Sequence, residues 1–177
     1  DLLRRLGVKG TPKERETLTE DVDGHALTLG LIGSYLARAH GGDIRRRDRV
    51  KLEKDNAGHQ RGHAFHVMDA YVRWLSEDAD GGPRALALLR LMGLFDRPAR
   101  ADCVRALMAA PAIAGLTDTL AGVAEEDFNI SLAQLEEARL LAPQRDAGGM
   151  LSSIDAHPLL REYFAVRLRH GTPEAFR

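Results

Sequence analysis

The sequence predicts a mainly α protein, a helical bundle followed by a winged-helix domain with a short β-hairpin. Three observations predict it. Leu, Ala, Arg and Glu are abundant, which favours helix over sheet, and aromatics are only 5%. Apolar residues recur at helical spacing in most segments between Gly and Pro breaks. Residues 140–154 alone read as two strands around a Gly turn, and a final helix follows them.

The elements follow in order. Asp1-Leu2-Leu3-Arg4-Arg5-Leu6 reads as the middle of a helix. In Thr11-Pro12-Lys13-Glu14, Thr11 caps, Pro12 takes the first helical position and Glu14 completes a capping box. This helix is expected to reach about Val22, ending at Asp23-Gly24. A second begins near His25-Ala26 and carries Leu27, Leu31, Ile32, Tyr35 and Leu36 on one broad face, until Gly41-Gly42 ends it. Asp43 then caps a surface helix from Ile44 to about Lys54, rich in Arg45, Arg46, Arg47 and Arg49. After a break containing Gly and His, Ala64, Val67, Met68, Tyr71 and Leu75 mark a fourth amphipathic helix. Residues 1–77 make the bundle.

Asp78-Ala79-Asp80-Gly81-Gly82-Pro83 is the expected domain boundary. A buried helix follows over 85–95, then a short one near 102–109 between Pro98 and Pro111. Glu125-Glu126-Asp127 opens a longer helix through Leu132, Leu135, Ala138 and Leu141, its acidic start matching the helix dipole. Strands around Asp146-Ala147-Gly148-Gly149 and a closing helix complete a winged-helix domain over 83–170. Residues 171–177 begin a linker or a further element.

The closing helix opens at Ala156-His157-Pro158. Pro158 suits the first turn, and the residue before a proline is steered away from helical angles, so His157 should be the cap. Leu160, Tyr163, Phe164 and Leu168 form the apolar stripe behind it. His157 thus stands at the positive end of a docked helix, where an anion is well placed. The plainer reading is a buried cap histidine bonded to a backbone carbonyl.

Composition narrows the function classes. The 177-residue chain is 44% hydrophobic and 29% charged, ordinary for a globular protein. Its net charge of −1 exerts no general pull on nucleic acid or acidic membranes. No apolar run approaches the roughly 20 residues that span a bilayer. The single Cys103 excludes an internal disulfide and suits a reducing compartment, so a cytoplasmic location is expected. Cys103 itself reads as a small core residue, with no nearby His or acid to mark a nucleophile.

Other constellations are weaker. His59, His63 and His66 have a spacing that zinc can use on a helix, but Gly58 and Gly62 should break the helix and no fourth ligand follows. A solvated linker is expected there. The run Arg45–Arg49 reads as a solvated face, partly paired internally. A winged helix also suggests DNA, yet its third helix bears Glu125, Glu126, Asp127, Glu136 and Glu137 against a lone Arg139. Duplex phosphates would repel it. No loop ending in Gly-Lys-Ser/Thr occurs, so the chain cannot itself run P-loop phosphoryl transfer, and no enzymatic activity is expected of it.

The layout resembles the second half of the NB-ARC module of STAND signalling ATPases. The resemblance covers about residues 10–170. It rests on element order and two short motifs, Gly24-His25-Ala26-Leu27-Thr28-Leu29 and Asp155-Ala156-His157-Pro158-Leu159-Leu160. The first matches a Gly-x-Pro motif that starts a helix and packs against adenine, with Ala26 in place of the proline. The second matches a Met-His-Asp motif whose histidine meets the β-phosphate of ADP; the histidine matches and both neighbours differ. The resemblance therefore implies nucleotide contacts from His157 and from Gly24, His25, Ala26 and Leu27.

It further implies that the chain is an internal piece of a longer protein. ADP or ATP would be held only together with an upstream P-loop domain, and a downstream repeat or sensor domain would follow. The chain would be the regulatory, non-catalytic part of a nucleotide-switched signal-transduction protein, closing over ADP to hold the inactive state. A winged-helix DNA-binding regulator and a protein-interaction module without nucleotide contact are the alternatives.

Overall fold

The computed structural model of the chain describes residues 1–50 and 59–171, with side chains described for all of these except 59–61. The described residues are mainly α, with a three-stranded antiparallel sheet. The chain forms two compact units, Asp1–Trp74 and Leu75–Arg177, and the division falls inside a helix, ahead of the Asp78–Pro83 stretch.

The first unit opens with α1 (Leu2–Arg5), a four-residue helix. The Asp1 carboxylate caps it by accepting the Arg4 N–H at 3.3 Å. Helix α2 (Pro12–Asp21) carries the expected capping box, with both reciprocal bonds between Thr11 and Glu14. Thr11 donates both its backbone N–H and its hydroxyl to the Glu14 carboxylate, at 2.7 and 2.9 Å, and these bonds hold that carboxyl below the ordinary carboxylate range. Helix α3 (Ala26–Ala39) buries Leu29, Leu31, Ile32, Tyr35 and Leu36. The Asp43 cap is present, but the segment behind it is a 3₁₀ turn, Ile44–Arg49. Only Ile44 and Val50 are buried there, so no apolar stripe holds an α-helix in place. Residues 51–54 of the expected helix lie outside the described residues.

Helix α4 (His59–Glu77) differs most from expectation, because it runs straight through Gly62. His63, Ala64, Val67, Met68, Tyr71 and Leu75 are all buried. A glycine costs a helix about 1 kcal/mol, while each large apolar side chain buried contributes roughly 1.5–3 kcal/mol. Burial wins. Tyr71 donates its hydroxyl proton to the Leu31 carbonyl at 3.1 Å, tying the helix to α3.

In the second unit α5 (Gly82–Met92) buries Ala85–Leu89, Leu91 and Met92 and packs against two later helices. Strand β1 (Ala99–Arg100), absent from the sequence expectation, leads into α6 (Ala101–Met108) and then α7 (Glu125–Glu137). Leu141 does not extend the α7 stripe. Arg139 turns to φ 60 and Leu141 heads β2 (Leu141–Arg145), which pairs with β3 (Leu151–Ala156). The Asp146 carboxylate closes the turn by accepting the Gly148 and Met150 N–H groups, each at 2.9 Å. The sheet order is β1-β3-β2, all antiparallel. Three helices, this sheet and α8 (Pro158–Gly171) follow in winged-helix order. Residues 172–177, most of the expected terminal linker, lie outside the described residues. No helix among the described residues is long and apolar enough to cross a membrane.

Candidate functional site

His157 sits between β3 and α8, and Leu160, Tyr163, Phe164 and Leu168 behind it are buried as the periodicity predicts. Its carbonyl accepts the Leu160 and Arg161 N–H groups at 2.9 and 3.2 Å. The ring caps the helix as well, with Nδ1 accepting the Leu159 N–H at 3.2 Å. That bond makes Nδ1 the acceptor and assigns the ring proton to Nε2, a donor. The ring is exposed, unlike the buried cap of the plainer reading. An aromatic donor at a helix N-terminus suits an anion.

The ring lines a cleft of about 870 Å³. Its walls are the Asp96–Pro98 loop, the end of α7 at Glu136 and Arg139, the start of β2, the end of β3 and the first turn of α8. Asp155, next to last in β3, accepts the Ala156 N–H at 2.7 Å and also pairs with the Arg161 guanidinium. The Arg161 side chain is only 11% exposed. Its Nε–H is buried without a partner among the described residues. Asp96 pairs with Arg97 at 2.9 Å, and that pair, with Arg161 at longer range, holds the Asp96 carboxyl below its usual range. Asp155 stands in the second motif with no role implied there, and Arg161 follows six positions on. A carboxylate two residues ahead of a cap, with a guanidinium in the next turn, was the available signal.

The second predicted group lies in the first unit. Gly24 turns the chain with φ +67, a conformation that L side chains rarely adopt. His25 is the N-cap of α3, but its Nδ1 meets the Thr28 hydroxyl at 2.8 Å instead of a backbone N–H. Ala26 is exposed and Leu27 half-buried. The turn thus offers small apolar surface at another helix N-terminus. Gly24–Leu27 and His157 belong to different units.

Other expectations need correction. His63 is not in a solvated linker: it is 4% exposed inside α4, and neither ring nitrogen has a partner among the described residues. No group of three metal-ligating side chains occurs among the described residues. Cys103 is exposed, not core, because α6 turns Ala101 and Val104 inward and leaves position 103 on the outer face. Its neighbour Asp102, bonded to Arg100 at 2.7 Å, has its carboxyl pulled down to about 2. The basic run is partly paired, Arg45 with Glu14 at 3.5 Å and Arg47 with Asp21 at 3.9 Å. On α7 the exposed positions include Glu125, Glu126, Glu136 and Glu137, while Asp127 pairs with Arg84 at 3.1 Å.

A separate hollow of about 500 Å³ lies between α6, the start of α7 and the hairpin. Met108, Val123, Phe128 and Met150 contribute apolar surface, and Arg105 and Arg145 line it too. None of the predicted site residues touches it. No protein-family profile, characterised protein or solved structure matches the chain.

Proposed function

We propose that this chain is the regulatory, non-catalytic part of a nucleotide-switched signalling protein of the STAND/NB-ARC kind. The observation that carries the reading is His157, an exposed cap whose Nε2–H stands at the N-terminus of a docked helix beside a cleft. A nucleotide diphosphate supplies the negative charge such a donor takes; of the cleft's three acids, Asp96 and Asp155 are matched by Arg97 and Arg161, and Glu136 is exposed at the end of α7. The His157 ring and the cleft around it would take the phosphate end. These residues bind and orient. Cleavage chemistry belongs to a P-loop domain upstream in the same polypeptide, with a sensor domain downstream, and the setting is cytoplasmic.

The test is His157→Ala in the complete protein. A hydrogen bond to a charged group contributes roughly 1.5–3 kcal/mol, so ADP should dissociate about tenfold to a hundredfold faster. If the contact belongs to the closed state alone, basal signalling rises as well. Unchanged ADP dissociation alongside a lower melting temperature makes His157 a plain helix cap and ends the proposal. The apolar hollow beside the hairpin favours one second reading, a module that docks other proteins. Basal output that responds to Met150→Asp and ignores His157→Ala selects it.

A further inference from the structure

We propose that Asp155 and Arg161 form a positioning pair that fixes the His157 ring; the inference rests on reading that ring as the phosphate contact. The pair brackets the cap. Asp155 lies two residues before His157, Arg161 one helical turn after it, and a single carboxylate oxygen of Asp155 holds both the Ala156 N–H and the Arg161 guanidinium. With β3 and the first turn of α8 stapled on either side, the His157 backbone has little freedom. Its Nδ1 is then presented to the Leu159 N–H, which keeps the ring proton on Nε2. A partner that sets tautomer and ring direction is the usual support for a working histidine.

The pair is poorly suited to stability alone. Arg161 is nearly buried, its Nε–H has no partner among the described residues, and Asp155 is still 45% exposed. An apolar side chain of similar length would fill the same space without an unsatisfied donor, and such exchanges of buried pairs are often neutral or stabilising. Stability and ring orientation therefore respond differently to substitution, and that difference is measurable.

Two variants separate them. Asp155→Asn keeps an oxygen for the Ala156 N–H and removes the charge that holds Arg161. Arg161→Met keeps length and apolar bulk. In the chain labelled with ¹⁵N-histidine, His157 of the unsubstituted protein should show the Nε2–H tautomer. In both variants the signal should move toward a tautomer mixture, and the Leu159 amide should exchange with solvent about tenfold faster, the size of one lost hydrogen bond. Thermal melting should stay close to that of the unsubstituted chain. Arg161→Lys should restore the ring signature in part. A ring signature and Leu159 exchange unchanged in both variants overturn the proposal, as does collapse of the Arg161→Met variant with no rescue by Arg161→Lys. ADP dissociation in the complete protein is the separate arm. A loosened ring with unaltered ADP release upholds the pair and removes the phosphate reading instead.

Discussion

At the residue scale, two histidines that each follow an alanine differ in environment. His157 follows a strand, precedes a proline and faces outward, because the proline keeps its backbone extended and the helix begins one residue later. His40 ends α3, and its Nε2 approaches the Tyr35 hydroxyl at 3.2 Å with the rings edge to face. Partial burial, then the charges of Arg46 and Arg49, shift its pKa below the usual histidine value of about 6.5. Since the folded value is the lower one, the unfolded chain binds the extra proton first. His40 therefore contributes stability that is complete above about pH 6.5 and is lost as pH falls toward the folded value. Denaturation midpoints measured from pH 7.5 downward should decline through that window, and His40→Gln should flatten part of the decline. An identical decline in the variant assigns the effect to other groups.

At the element scale, packing decides between neighbouring possibilities that local preference leaves close. Helix α4 runs through Gly62, where an added Cβ would meet nothing within 4 Å among the described residues. Gly62→Ala should thus stabilise the protein by about 0.5–1 kcal/mol, by lowering the entropy of the unfolded chain. A loss of stability there would mean that the helical assignment at this position is wrong. Gly93, just past α5, is the contrasting case. A Cβ at 93 would come within 2.7 Å of the Ala165 nitrogen and the Phe164 carbonyl carbon, both α8 backbone. Gly93→Ala must push α5 and α8 apart, and a destabilisation of about 1–3 kcal/mol is expected in calorimetry or urea melts. An unaffected melting temperature would show that the crossing is looser than these distances require.

At the scale of the whole molecule, charge argues against what topology suggests. The second unit has the winged-helix order, yet the helix that would enter a major groove exposes Glu125, Glu126, Glu136 and Glu137, and the hairpin adds only Arg145. Phosphate neutralisation supplies most of non-specific DNA affinity, and no basic surface on these elements can provide it. The chain should give no shifted band with duplex DNA at low ionic strength. Micromolar binding that weakens steeply with salt would reverse this conclusion and revive the transcription-regulator alternative.

Most of the helices were legible in the sequence because their signals are local. The Thr11–Glu14 capping box, the Asp43 cap, Pro158 after His157, the stripe of Leu160, Tyr163, Phe164 and Leu168, and the Asp146–Gly149 turn each lie within about one helical turn or one hairpin of their causes. The position of His157 at its helix end is legible on the same grounds, while its exposure depends on the packing around it. What tertiary structure decided depends on partners far along the chain. Strand β1 exists because Ala99 and Arg100 find Ile154 and Ser153, more than fifty residues on. Gly62 stays helical because the face around it is buried, and Cys103 faces outward because α6 spends its inward positions on Ala101 and Val104. The Asp155–Arg161 bond was in view as a pair of letters, but only the meeting of β3 with the first turn of α8 brings the two charges together. A sequence records which side chains can form a cap or a stripe; which of them is buried depends on a surface the chain makes only once it has folded.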